Sequence, residues 1–127
     1  HVPVSVRSTC AETDRSGSEI AVVSCASPSG PAVLYALYGN GIAVDGDFSQ
    51  ITSGLPTPRA TTCAEGPYLG VYEVDGEIVG QLACWTDGGT AYLVAGDKRI
   101  PMMVFLLSGD GDLAALEEAL ADLTPVP

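Results

Sequence analysis

Histidine is all but missing from this chain: the only one is His1, at the chain end. A Ser-His-Asp or Cys-His catalytic pair needs an imidazole or an equivalent base beside the nucleophile. No internal imidazole exists for such a pair, or for a His-rich zinc site. Positive charge is scarce as well: 5 Lys and Arg face 16 Asp and Glu, for a net charge of −11. Nucleic acid and anionic membrane surfaces both require clustered Lys and Arg, so neither is expected as a partner. Lys98 is the only lysine, and nothing near it resembles a nucleophile motif, which argues against Ser-Lys catalysis. No stretch approaches the ~20 apolar residues of a membrane span, so no direct span is expected in this chain. Neither G-x-G-x-x-G nor G-x-x-x-x-G-K-[ST] occurs, so no nucleotide site or cofactor is expected.

What is present describes one compact domain. The 127 residues are 46% hydrophobic, enough for a substantial core and too apolar for long disorder. Four cysteines, Cys10, Cys25, Cys63 and Cys84, suggest two disulfides in an oxidising compartment. Free buried thiols and a four-thiolate metal site are the competing readings. Structural zinc prefers cysteines about two to four residues apart, and no two of these are that close. Four cysteines allow three connectivities, and hairpin registers choose among them. A two-residue turn at Gly17-Ser18 puts Cys10 directly across from Cys25. Asp75-Gly76 is a strong type I′ turn signal between Tyr68–Val74 and Glu77–Cys84. That turn places Cys84 across from Pro67, close to Cys63. The expected bridges are therefore Cys10–Cys25 and Cys63–Cys84. The start has no basic region followed by an apolar one, as a signal peptide would. The chain is expected to be a mature or excised piece of a longer exported product.

Thr9-Cys10-Ala11-Glu12 recurs as Thr62-Cys63-Ala64-Glu65. In each case a second cysteine follows, then a Tyr-bearing apolar stretch and a helix-like stretch. The chain reads as two diverged β-rich halves, 2–52 and 60–123, with a linker over 53–59 and a tail over 124–127. In the first half, Val2 to Cys10, Ile20 to Cys25 and Ala32 to Tyr38 read as strands. Pro28-Ser29-Gly30-Pro31 is a turn. A short helix starts at Asn40 or Gly41, with Val44, Phe48 and Ile51 at helical spacing. In the second half the 68–84 hairpin is followed by a turn at Thr86-Asp87-Gly88-Gly89 and a strand from Thr90 to Ala95. After the Gly96–Arg99 turn, Ile100 to Leu107 forms a buried strand with Pro101 at its start. The last element is a helix over 112–123 with Leu113, Leu116, Leu120 and Leu123 on one stripe. The resulting expectation is an α+β fold: one antiparallel sheet with both helices packed on one face and the other face partly solvated.

Paired carboxylates are the remaining route to acid–base chemistry. Asp45 with Asp47, Asp75 with Glu73 and Glu77, and Asp110 with Asp112 are the candidates, and each has a structural explanation as turn residue, helix cap or polar helix face. Asp110-Gly111-Asp112 does not meet the register of a calcium loop, so no metal ligand is assigned. Among the few aromatics, Tyr68 and Tyr72 share one strand face with Gly70 between them, and Trp85 follows Cys84. Tyr68, Tyr72 and Trp85 form the candidate ligand surface.

Several short segments occur in this order: Val6-Arg7-Ser8-Thr9-Cys10, Tyr35-Ala36-Leu37-Tyr38, Gly80-Gln81-Leu82-Ala83-Cys84-Trp85, Thr90-Ala91-Tyr92-Leu93-Val94 and Gly111-Asp112-Leu113-Ala114-Ala115-Leu116. The pattern resembles the extracytoplasmic C-terminal domains of membrane-anchored serine/threonine protein kinases of actinobacteria, and related exported proteins. It departs from that pattern in the final helix, which continues here as Glu117-Glu118-Ala119-Leu120 instead of into a cluster of aromatics. The resemblance implies an exported, sensor-like module, and no catalytic residues carry over. The expected function is a non-enzymatic extracytoplasmic binding or sensor module for a small molecule, cell-wall fragment or protein. The alternatives are a carboxylate-dependent glycan-active enzyme and a protein–protein or inhibitor module.

Overall fold

The structure, a computed structural model, describes residues 1–15, 19–26, 30–55 and 60–126, with only the backbone of Ser5. The Gly17-Ser18 turn, the first half of the 28–31 turn and most of the 53–59 linker lie outside these residues. In chain order the elements are α1 (Val4–Arg7), β1 (Ala11–Glu12), β2 (Ala21–Ala26), β3 (Ala32–Leu37) and α2 (Gly41–Thr52). A 3-10 turn at Cys63–Glu65 leads to β4 (Tyr68–Val74), β5 (Glu77–Asp87), β6 (Thr90–Asp97), β7 (Met102–Ser108) and α3 (Leu113–Leu123). The strands form one antiparallel sheet of seven, in the order β1-β2-β3-β7-β6-β5-β4. The fold is α+β. Each half of the chain supplies a contiguous block of strands, and the blocks meet at β3–β7.

The two hairpins of the second half follow from their turn residues. Asp75 (φ 53°) and Gly76 (φ 81°) take the two positive φ values a type I′ turn demands, and so do Gly88 (φ 58°) and Gly89 (φ 85°). One register differs from the sequence reading. Tyr72 pairs with Gly80 but Glu73 pairs with Ile78, so Val79 is an extra residue in β5. This bulge shifts everything beyond it by one, and Cys84 faces Tyr68, not Pro67. It lets the adjacent Val79 and Gly80 both be buried, and the Val79 carbonyl accepts the Lys98 N–H at 2.9 Å.

The start of the chain also differs. The expected strand over Val2–Cys10 is instead one helical turn, α1, in which the Pro3 carbonyl accepts the N–H groups of Val6 and Arg7 at 3.2 and 3.1 Å. Val6 is fully buried while Val4 is 78% exposed, whereas a strand would put both on one face. The Arg7 guanidinium closes the turn onto the Val2 carbonyl at 2.7 Å. Thr9 ties it to β2, its Oγ1 accepting the Ala26 N–H at 2.9 Å.

Both disulfides join residues of the same half: Cys10–Cys25 and Cys63–Cys84. The β1–β2 register, with Ala11 opposite Ser24, brings Cys10 to Cys25. The two bridges are compatible with an oxidising, extracellular environment. Cys63–Cys84 spans a sequence separation of 21, for which loop-closure entropy gives about 3 kcal/mol. Replacing both by alanine should lower the unfolding free energy by about that amount in urea titrations. An unchanged midpoint would show that the bridge constrains nothing.

The helices do not share a face. Leu113, Leu116, Ala119, Leu120 and Leu123 of α3 pack with Val33, Tyr35, Leu93, Ala95, Met102, Val104 and Leu106. Val44 and Phe48 of α2 pack with Ala36, Ala83, Val94 and Met103. These are alternate residues of the same strands, so α2 and α3 cover opposite faces, contrary to the expectation of one. The physical reason is that β3, β6 and β7 are apolar on both sides and each side needs a cover. Asp112 caps α3 by accepting the Ala115 N–H, and Asn40 caps α2 by accepting the Ala43 N–H. No described helix is long and apolar enough to cross a membrane.

Candidate functional site

Helix α2 is too short to cover its face of the sheet. Val44 and Phe48 seal one end, where Gly96 leaves room for the Val44 methyl groups. Beyond Ile51, in the last turn of α2, the sheet stays open as a groove of about 360 Å³. Its lining includes Val22 and Leu34 from β2 and β3, Trp85 and Tyr92 from β5 and β6, and Phe105 from β7. Trp85 and Tyr92 are cross-strand partners whose rings stack with centroids 5.4 Å apart and planes 14° apart. Offset stacking of this kind stiffens both rings and presents one continuous aromatic surface.

The rim is acidic. Asp14 and Glu19 line the groove, and none of its described lining residues is basic. Nearby lies buried Tyr38, close to Asp47 and Glu19. Its pKa is pushed well above the ordinary tyrosine value, first by burial, then by Asp47 and the charge of Glu19. Of the described cations, Arg7 binds the Val2 carbonyl, Lys98 pairs with Asp45 and Arg99 with Asp97, while Arg15, next to Asp14, donates to the carbonyl of Ile20, next to Glu19.

The candidate surface of Tyr68, Tyr72 and Trp85 is not assembled. Tyr68 pairs with Cys84 across β4–β5, so Tyr68, Gly70 and Tyr72 point to the α3 face and Trp85 to the α2 face. The Tyr68 ring lies across Gly70. Tyr72 is buried, its hydroxyl 2.6 Å from Thr124 Oγ1 beyond α3. Beside it the Tyr35 hydroxyl donates to the Leu123 carbonyl at 2.6 Å. These tyrosines anchor α3 to the sheet. Tyr68 and Trp85 both border a recess of only about 60 Å³ at the end of α2, too small for the ligands such a surface would serve.

The paired carboxylates hold structural positions. Asp45 pairs with Lys98 at 3.4 Å, and Asp75 occupies its turn. Asp110 accepts from Ser108 Oγ at 2.6 Å and from the Asp112 N–H at 3.0 Å. Those bonds hold its carboxyl below the usual range, Ser108 foremost. A carboxylate the sequence did not single out is Asp97, fully buried and gripped by Arg99 Nε and Nη2 at 3.0 and 2.6 Å. It fixes the β6–β7 turn.

Sequence reasoning missed Tyr92, Phe105, Leu34 and Ile51 as groove residues. Two signals could have found them. A two-residue Gly88-Gly89 turn already puts Trp85 opposite Tyr92. The apolar runs of β3 and β7 continue on both faces, which implies more apolar surface than a three-turn helix can cover. Comparison with known proteins adds nothing here: no family model, curated protein or solved structure matches the chain.

Proposed function

We propose that this domain is a non-enzymatic extracytoplasmic binding or sensor module, and that the groove left open by α2 is its ligand site. The observation that carries the reading is the groove itself, an aromatic-floored concavity on a sheet whose other face is covered by α3. Its volume of about 360 Å³ is at the low end of small-ligand pockets, roughly 300–1,000 Å³. The disulfides support placement outside the cytoplasm, in a secreted protein or one anchored by a segment outside this chain. The resemblance to kinase-linked domains supports a sensor attached to a signalling enzyme. A small molecule or a fragment of the cell wall fits the concavity, and the charge of −11 disfavours nucleic acid.

The test is a thermal-shift screen of cell-wall fragments, hydrophobic metabolites and polyamines, since a specific binder raises Tm by mass action. With any ligand so found, Trp85→Ala should weaken binding about tenfold, the scale of losing a buried aromatic contact. Tyr72→Phe, altered on the opposite face, should leave affinity unchanged. The reverse pattern would move the site to the α3 side and overturn the assignment.

A further inference from the structure

We infer that the groove selects small organic cations with an apolar body, such as alkyl- or arylammonium ions. This deepens the binding-module reading and rests on the groove being the ligand site.

The groove offers two kinds of contact in one place. Its floor of Trp85, Tyr92 and Phe105 is apolar and aromatic, and the indole and phenol faces attract a cation through their quadrupoles. Its rim carries Asp14 and Glu19. Low-dielectric walls focus the field of such a rim into the concavity. An anionic ligand would find no basic group among the described lining residues. A neutral ligand would bury its apolar part but leave the rim unused. A cation with a short hydrocarbon body uses both. The small volume favours a single small molecule over a polypeptide segment.

Hexylammonium, 1-hexanol and hexanoate share a chain and differ in charge. Trp85 is the only tryptophan, so its fluorescence reads occupancy of the groove directly. Hexylammonium should bind roughly fivefold or more tightly than hexanol, in line with an exposed cation–π contact plus a rim carboxylate. Hexanoate should bind weakest. Raising the salt concentration should narrow the gap between hexylammonium and hexanol, because the rim charges are screened. In the Asp14→Asn/Glu19→Gln variant, hexylammonium should lose about threefold in affinity while hexanol stays within twofold. The wild-type salt dependence gives the same discrimination if that variant folds poorly. Equal affinities for hexylammonium and hexanol would overturn the cation inference and leave the groove as the ligand site. No response of Trp85 to any of the three would overturn both.

Discussion

Gly80→Ala should be among the most damaging single substitutions in this domain, costing about 3–5 kcal/mol of stability. Gly80 follows the bulge residue Val79, where β5 bends over β6, and a Cβ there would land on the carbonyl oxygen of Gly96. The obstacle is backbone on both sides, so no rotamer change relieves it. Either the bulge must reopen, exposing Val79, or β6 must shift against α2. Gly96→Ala is the informative control. Its Cβ would press on the Val44 Cγ1 at 2.9 Å, a contact with a side-chain methyl that a small shift of α2 relieves, for a cost of about 1–2 kcal/mol. Urea unfolding of the two variants compares them. A Gly80→Ala variant no less stable than Gly96→Ala would mean that the strands do not approach as described.

Alkaline pH should unfold the domain. Tyr35, Tyr38 and Tyr72 all have pKa values raised by burial above all. Tyr72 adds to the shift of Tyr35, and Asp47 and Glu19 add to that of Tyr38. Their neutral forms are favoured in the folded state, so the sign is fixed. Their contribution is complete below the unfolded tyrosine pKa of about 10 and is lost as pH rises through the folded values. Each tyrosine that keeps its proton when folded makes stability fall by about 1.4 kcal/mol per pH unit above that point. Tyr35 and Tyr38, the most strongly shifted, together give a slope of about 3 kcal/mol per unit, so the domain should unfold within a few pH units above 10. Tyr35→Phe and Tyr38→Phe should each reduce that slope by about half, and Tyr72→Phe by less. Tyrosine absorbance recorded alongside circular dichroism checks the mechanism. Ionisation of all five tyrosines near pH 10 with the fold intact would contradict it.

The elements most clearly legible in the sequence are those written in local chemistry. Asp75-Gly76 and Gly88-Gly89 specify their hairpins because only such residues take two positive φ values cheaply. Asp112 and the Leu113–Leu123 stripe specify α3 through a cap and a period. The register around Gly17-Ser18 gave the first disulfide even though the turn residues themselves lie outside the described residues. What stayed illegible depends on tertiary context. Val4 and Val6 alternate as a strand would, but Arg7 and Thr9 bind the backbone of neighbouring segments and hold one helical turn. The bulge at Val79 arises from packing against β6 and has no turn residue to announce it. The faces of the two helices could be read only by following β3 and β7 on both sides. That omission carried over to the site. Tyr68 and Tyr72 were grouped with Trp85 by nearness in sequence, and the β4–β5 register separates them across the sheet.

The central claim is that ligands enter on the α2 face, over the stacked rings of Trp85 and Tyr92. A titration of the isotopically labelled domain with hexylammonium, followed by ¹H–¹⁵N chemical shifts, tests it most directly. The account predicts that perturbed amides cluster on Val22, Leu34, Ile51, Trp85, Tyr92 and Phe105, with the Trp85 indole N–H among the largest. Shifts confined to the other face, around Tyr72, Thr124 and the end of α3, would contradict it.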